Sequence, residues 1–156
     1  MVAQQKKLLY LVHRIPYPPN KGDKIRSFNI LKFLSRHYQV YLGTFVDDSH
    51  DWRYLKDLET YCEDMYAAPL KSLQSKLRSL PALWSETPLS LPYYRDAVLQ
   101  AWVDRLLAER PVRQAIVFSG AMAQYLEKPA YGHLRRIVDF VDVDSDKWRQ
   151  YAGNNP

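Results

Sequence analysis

The sequence predicts an α/β domain built on a doubly wound, mainly parallel sheet with helices on both faces. Short runs rich in β-branched and aromatic residues alternate with segments of helical periodicity along the 156 residues, and this alternation indicates βαβ units. The length fits a single domain over 1–156 whose core needs no disulfide or metal. Because ligands of such sheets bind beyond the carboxyl ends of the strands, residues 13–26, 119–121 and 139–146 are the candidate binding segments.

Each predicted element has a local signal. Compact apolar runs indicate strands, and apolar residues that recur every three or four positions indicate helices. Asp23 is predicted to cap the first helix, and Pro111 to end a later one. The predicted strands are 7–12, 38–46, 64–68, 115–118 and 135–143, and the predicted helices are 23–37, 51–61, 70–83, 93–110, 120–127 and 146–152.

Positive charge is concentrated at the amino-terminal end. Residues 1–37 contain eight Lys or Arg and one acid, Asp23, for a net charge of +7, whereas residues 38–156 have a net charge of −2. A field of that sign attracts phosphates, nucleic acid or an anionic membrane surface. A non-enzymatic module that binds anions or nucleic acid is therefore one open interpretation, although RNA-binding signatures are missing from the sequence.

The single cysteine and the hydropathy pattern predict a cytoplasmic protein. Cys62 excludes an internal disulfide and fits a reducing compartment, most simply as a small buried side chain. No run approaches the roughly 20 apolar residues of a membrane span. The leucine-rich helix predicted at 70–83 either packs its stripe on the sheet or contacts the inner membrane face peripherally. Its candidate membrane-facing residues are Lys71, Lys76, Arg78 and Trp84.

The loop after the first strand enters a helix through a basic, glycine-containing segment. The first turn of a helix carries unpaired N–H groups and a partial positive charge, so it suits an anion. Gly22 would let the backbone approach such a ligand closely. The segment is neither GxGxxG nor a P-loop, and a capped helix with solvated lysines is the competing interpretation. The candidate phosphate-binding residues are Lys21, Gly22, Asp23, Lys24 and Arg26.

Two stretches of the chain resemble family 4 retaining glycosyltransferases of the GT-B fold. The opening LLYLVHRIPYPPNKGDKIRSFNILKFLSRHYQVYLGTF is similar to the strand, proline-containing loop and long helix that begin those enzymes. The stretch IVDFVDVDSDKWRQYA resembles an exopolysaccharide-associated subgroup of sugar transferases. The resemblance implies a Rossmann-like acceptor-side domain, a nucleotide-sugar donor, a glycan or lipid-linked acceptor and no metal. Nucleic acid is not an expected partner.

The resemblance also implies roles for individual residues. Lys21, Gly22 and Asp23 would form the loop that closes over the donor diphosphate, although Lys21 stands where the commoner pattern has a glycine. The family's donor-binding domain, with its glutamate-containing motif, is not among these 156 residues. We therefore expect this chain by itself to transfer no sugar.

An acidic cluster follows the last predicted strand. Asp142 and Asp144 would share one face of a strand, where they could bind a cation as a DxD pair or simply solvate the strand end and cap a helix. The resemblance weighs against a metal, so these two are candidate catalytic residues on the acceptor side. The candidate acceptor cleft consists of His13, Ser119, Gly120 and Asp139. Tyr93, Tyr94 and Trp102 could stack on a sugar, although helical spacing favours a core position for Trp102.

Overall fold

A computed structural model of the chain describes residues 5–70 and 90–141. Within those ranges five strands form one sheet in the order β3-β2-β1-β4-β5, and every adjacent pair is parallel. The predicted doubly wound α/β fold is confirmed, with a Rossmann-like sheet. The strands are β1 (Lys6–Val12), β2 (Tyr38–Val46), β3 (Asp64–Pro69), β4 (Gln114–Phe118) and β5 (Arg135–Asp139).

Helices connect the strands across both faces of the sheet. Within residues 5–70 and 90–141, the first and the last α-helix are the longest, with 14 and 13 residues. The helices are α1 (Gly22–Ser35), α2 (Leu55–Glu59), α3 (Ser90–Tyr93) and α4 (Ala97–Glu109), and 3-10 turns lie at Ser49–Tyr54, Gly120–Leu126 and Pro129–Tyr131. Because the chain passes from β3 at one edge to β4 beside β1, the strand order reverses between β1 and β4, and a crevice opens there in doubly wound sheets.

The core has two halves because β1 is buried on both faces. Leu9 and Leu11 point towards α4 and the 3-10 turn at Gly120–Leu126, a side that we call the α4 face. Tyr10 and its neighbours two positions away point towards α1 and α2, a side that we call the α1 face. Alternate side chains of a strand point to opposite faces, so the unbroken apolar run of β1 from Leu8 to Val12 is buried on both faces and lies at the centre of the sheet.

Helix α1 begins one residue earlier than predicted, and its cap is different. Lys21 is the N-cap residue and makes no side-chain capping bond, while Asp23 lies in the first turn. The sequence predicts an apolar stripe of this helix at Ile25, Phe28, Ile30, Leu31, Phe33 and Leu34. That prediction is partly wrong, because Ile25 and Phe33 are exposed. The buried positions of α1 are Lys24, Ser27, Phe28, Leu31 and Leu34.

Capping side chains set two of the other helix boundaries that differ from the prediction. Asp96 accepts a hydrogen bond from the Leu99 amide at 2.8 Å, so α4 begins at Ala97 rather than at 93. Asp48 caps a 3-10 turn that precedes α2, so the helix predicted at 51–61 is divided. Residues 120–126 form a 3-10 turn instead of an α-helix. The helices predicted at 70–83 and 146–152 lie outside the described residues, apart from Leu70.

Candidate functional site

The sheet brings the predicted acceptor-cleft residues together where the strand order reverses, between β1 and β4. Val12 pairs with Phe118 in the sheet, and Phe118 pairs with Asp139. His13 and Ser119 each follow one residue later, and the Ser119 amide donates to the Asp139 carbonyl oxygen at 2.8 Å. His13, Ser119, Gly120 and Asp139 therefore lie at one edge of the sheet, beyond β1, β4 and β5. Their role in binding an acceptor stays a prediction.

His13 is held in an aromatic setting at the end of β1. Its ring stacks on Phe118 with centroids 5.9 Å apart, and the edge of Tyr94 approaches at 5.8 Å. Burial lowers the pKa of His13, and this effect outweighs the Asp23 carboxylate, which raises it. Nδ1 is buried without a hydrogen-bond partner among the described residues, whereas Nε2 lies 3.6 Å from Asp23 Oδ2. A neutral imidazole in this position can exchange a hydrogen bond with a ligand hydroxyl.

Arg14 joins the loop after β1 to the loop after β2. Its Nη1 donates to Asp23 Oδ2 at 3.0 Å, and its Nε lies 2.9 Å from Asp47 Oδ2. The second contact is an ion pair without the alignment of a hydrogen bond, since Nε has no acceptor in hydrogen-bond geometry. Asp23 therefore pairs with Arg14 and lies next to His13, and it does not cap α1.

Two of the three basic candidates for phosphate binding, Lys24 and Arg26, are already paired inside the protein. Lys24 is only 2% exposed and its Nζ lies 2.5 Å from Asp51 Oδ2. Arg26 donates to Asp139 Oδ2 at 2.6 Å and lies over the Phe118 ring. Lys24 is thus removed from contact with a ligand, and Arg26 reaches an anion only by leaving Asp139. Three acids from later in the chain, Asp47, Asp51 and Asp139, offset part of the positive excess of residues 1–37.

The start of α1 remains open towards an anion. Lys21 is exposed and forms no ion pair with the described residues, and no side chain caps the helix. A Cβ atom added to Gly22 would meet no atom within 4 Å. The protein itself therefore does not need a glycine there, and the space beside Gly22 is available to a ligand.

Backbone strain marks the same edge of the sheet. Ser119 has a φ of 89° and Val141 a φ of 58°, and such values cost energy in residues with a side chain. A Cβ atom on Gly120 would come within 3.0 Å of the Phe140 ring, so the strained turn is packed closely. Strained residues of this kind concentrate at ligand-binding positions.

The sequence prediction missed several residues of this site. Arg14, Asp47 and Phe118 were not singled out, although each adjoins the carboxyl end of a strand, where the binding rule applies. Tyr94 was considered for stacking, and it packs edge-on against His13 and Phe45. Trp102 is a core residue of the α4 face, as its spacing favoured.

Other candidates fall outside this site or outside the described residues. Burial raises the pKa of the half-buried Cys62 thiol to about 12, which makes it unreactive at neutral pH. Over residues 5–70 and 90–141, no group of three or more His, Cys, Asp or Glu side chains is arranged to hold a metal, and no helix is long and apolar enough to cross a bilayer. The candidates outside the described residues are Lys71, Lys76, Arg78, Trp84, Asp142 and Asp144.

The order of the five parallel strands and the helices on both faces define a Rossmann-like α/β domain. Comparisons with protein-family models, with curated proteins and with solved structures find no significant match. The functional assignment therefore depends on the site itself and on the sequence resemblance.

His13 should make the folded protein less stable in mild acid. Its pKa lies below the ordinary 6.5, so between these two values the unfolded chain binds more protons, and stability is lost as the pH falls through that window. Urea unfolding at about pH 7.5 and about pH 5.5 measures how much free energy of unfolding is lost on acidification. This loss should be smaller for His13→Gln than for the wild type. The exposed His50→Gln variant should keep the wild-type dependence; an unchanged dependence in His13→Gln would contradict this account.

Proposed function

We propose that this domain is the acceptor-side half of a glycosyltransferase that moves a sugar from a nucleotide-sugar donor to a glycan or lipid-linked acceptor in polysaccharide biosynthesis. The observation that carries the proposal is the uncapped start of α1, with Lys21 and open space at Gly22, next to the sheet edge where the strand order reverses. A helix start of this kind favours a diphosphate through its N–H groups and its dipole.

The neighbouring side chains suit a sugar or another hydroxyl-bearing group. A mostly neutral His13 offers a hydrogen bond, and the partly exposed Tyr94 supplies aromatic ring surface beside it. Sugars are commonly bound by such combinations of polar groups and aromatic rings. The resemblance of the opening stretch to family 4 glycosyltransferases assigns the same loop, Lys21 to Asp23, to the donor diphosphate.

The alternative of a nucleic-acid-binding module receives less support. Such a module needs a free basic surface that tracks a phosphate backbone. Arg14, Lys24 and Arg26 are each engaged by an internal carboxylate, which leaves little of the basic excess free near the loop.

A charge reversal at Lys21 tests the proposal. UDP and GDP are the probes, and uridine and guanosine are matched ligands without the diphosphate. We expect UDP and GDP, but not the nucleosides, to raise the melting temperature. Lys21→Glu should weaken the binding of these diphosphates at least about tenfold, or ~1.4 kcal/mol. Arg36→Glu reverses an exposed charge at the other end of α1 and should bind as the wild type does. Equal weakening by both variants, or equal binding of nucleosides, would contradict the proposal.

A further inference from the structure

A cleft opens at the amino ends of the strands, at the other end of the sheet from the proposed sugar-transfer site. Tyr41 of β2 pairs with Asp64, the first residue of β3, and the Trp102 Nε1 of α4 donates to Asp64 Oδ2 at 3.3 Å. The walls of the cleft, which has a volume of about 440 Å³, therefore meet at this hydrogen bond. We call it the amino-edge cleft; Glu63 and Asp64 line its sheet side, and Arg105, Glu109 and Arg110 line its helix side.

Tyr41 brings a hydroxyl without a partner to this cleft. Its side chain is only 3% exposed and belongs to the α4-face core, yet it lines the cleft, and no described residue forms a hydrogen bond with its hydroxyl. Burial raises the pKa of Tyr41, although the nearby Arg110 lowers it, so the hydroxyl stays protonated and can donate. Buried polar groups normally have a partner, and a molecule in the cleft would supply one.

The two sides of the cleft carry opposite charges that are not paired with each other. Glu63 is exposed on the sheet side, and Arg105 and Arg110 are exposed on the helix side. None of the three forms an ion pair with a described residue. Glu109, one turn from Arg105 in α4, is unpaired as well, and an exposed pair between these two would contribute too little to keep a ligand out.

This distribution of charge disfavours a ligand of a single sign. Three acids line the cleft beside two arginines, and α4 ends at Glu109, where the helix dipole is negative. A phosphate or a nucleic acid would therefore be repelled, and a lone cation would meet two guanidinium groups. A small zwitterion can satisfy both sides, and the buried Leu106 and Trp102 between them offer apolar surface to a side chain.

The ranges outside the described structure join it away from this cleft. Leu70 follows the carboxyl end of β3, and Val141 lies beyond that of β5. Leu91 accepts a hydrogen bond from Gln124, in the turn after β4. Ranges 71–89 and 142–156 therefore adjoin residues at the other end of the strands, and residues 1–4 precede β1, which β2 separates from β3.

We propose that the amino-edge cleft binds a free amino acid with an apolar side chain. The carboxylate of the amino acid would accept hydrogen bonds from Arg105 and Arg110, and its ammonium group would donate to Glu63. Either group would give the Tyr41 hydroxyl its missing partner, while the side chain would lie against Leu106. This site is separate from the proposed sugar-transfer site and stands without it.

The probe is L-leucine, compared with two molecules that each lack one of its charges. The first, 4-methylpentanoate, has no ammonium group, and the second, 3-methylbutylamine, has no carboxylate. In a nitrogen–proton NMR titration, leucine should give saturable shifts of the Asp64 and Arg105 amides and of the Trp102 indole. Each single-charge molecule should bind at least about tenfold more weakly than leucine.

Variants assign this binding to the cleft. Arg110→Gln and Glu63→Gln each remove one exposed charge, from the helix side and the sheet side, and should weaken leucine at least about tenfold. Tyr41→Phe removes only the unpartnered hydroxyl, so it should weaken leucine about threefold or more without loss of thermal stability. Arg113→Gln and Glu59→Gln change exposed charges outside the cleft and should bind leucine as the wild type does.

Several results would overturn the proposal. They are the absence of saturable shifts up to about 10 mM leucine, equal binding of the three molecules, or wild-type affinity in both Arg110→Gln and Glu63→Gln. Leucine shifts at Gly22 instead of the cleft would also contradict it. The comparison of the three molecules uses the wild-type protein, so it decides the matter even if a variant fails to fold.

Discussion

Replacing Asp51 by alanine should lower the free energy of unfolding by about 3–5 kcal/mol. Lys24 is buried in α1, and its Nζ lies 2.5 Å from Asp51 Oδ2. Without Asp51 the ammonium group stays in the core with no compensating charge, and that state is far costlier than the intact pair. Urea unfolding followed by circular dichroism measures the difference.

Two further variants separate this effect from the general loss of an acid. Asp57→Ala removes an exposed carboxylate from α2 and should change stability by no more than about 0.5 kcal/mol. The double variant Lys24→Met, Asp51→Leu removes both charges and should recover most of the loss. If Asp51→Ala stays within about 1 kcal/mol of the wild type, the pair is in contact with water and the account of the α1 core is wrong.

Replacing Trp102 by alanine should also lower the free energy of unfolding by about 3–5 kcal/mol. Trp102 is 5% exposed in the α4-face core. Its ring stacks on Tyr66, and its Nε1 donates to Asp64 Oδ2 at 3.3 Å. A Cβ atom on Gly43 would come within 3.3 Å of the indole, so helix and sheet are in direct contact here. Truncation leaves a cavity that close packing on both sides cannot fill.

The matched control is Trp52→Ala, since Trp52 is an exposed indole in the 3-10 turn after β2. It should cost less than about 1 kcal/mol. Far-ultraviolet circular dichroism is the appropriate signal, because both variants alter tryptophan fluorescence directly. Similar losses for the two variants would show that Trp102 is not packed as described, and would reopen its interpretation as a sugar-stacking residue.

The sheet could be predicted from the sequence because burial leaves a local pattern. β2 has the predicted bounds, Tyr38–Val46, and its burial on both faces shows as a run of β-branched and aromatic residues. The ends of the helices are harder to predict than the strands, because they depend on which side chain accepts a hydrogen bond from which backbone amide. Asp96 caps α4 in the structure, whereas Asp23 resembles a cap in sequence and is taken by Arg14 instead.

The charges of the candidate site could not be predicted in the same way. Lys24 and Asp51 are 27 residues apart, and Arg26 and Asp139 are 113 apart. A count of charges within one segment cannot include partners that the fold brings from other strand ends. The sequence therefore overstates the positive charge that the loop offers to a ligand, because Lys24 and Arg26 are paired internally. The binding roles of Lys21 and Gly22 stay a prediction.

The most direct test of the central claim is the response of individual backbone amides to UDP in a two-dimensional nitrogen–proton NMR spectrum. We expect the resonances of Gly22, Asp23 and Lys24 to shift as UDP is added. We also expect Gly22→Val, whose side chain fills the open space, to abolish the shift while the rest of the spectrum keeps its dispersion. Shifts confined to the separate cleft that Tyr41, Arg105 and Arg110 line, or no shift in the first turn of α1, would contradict it.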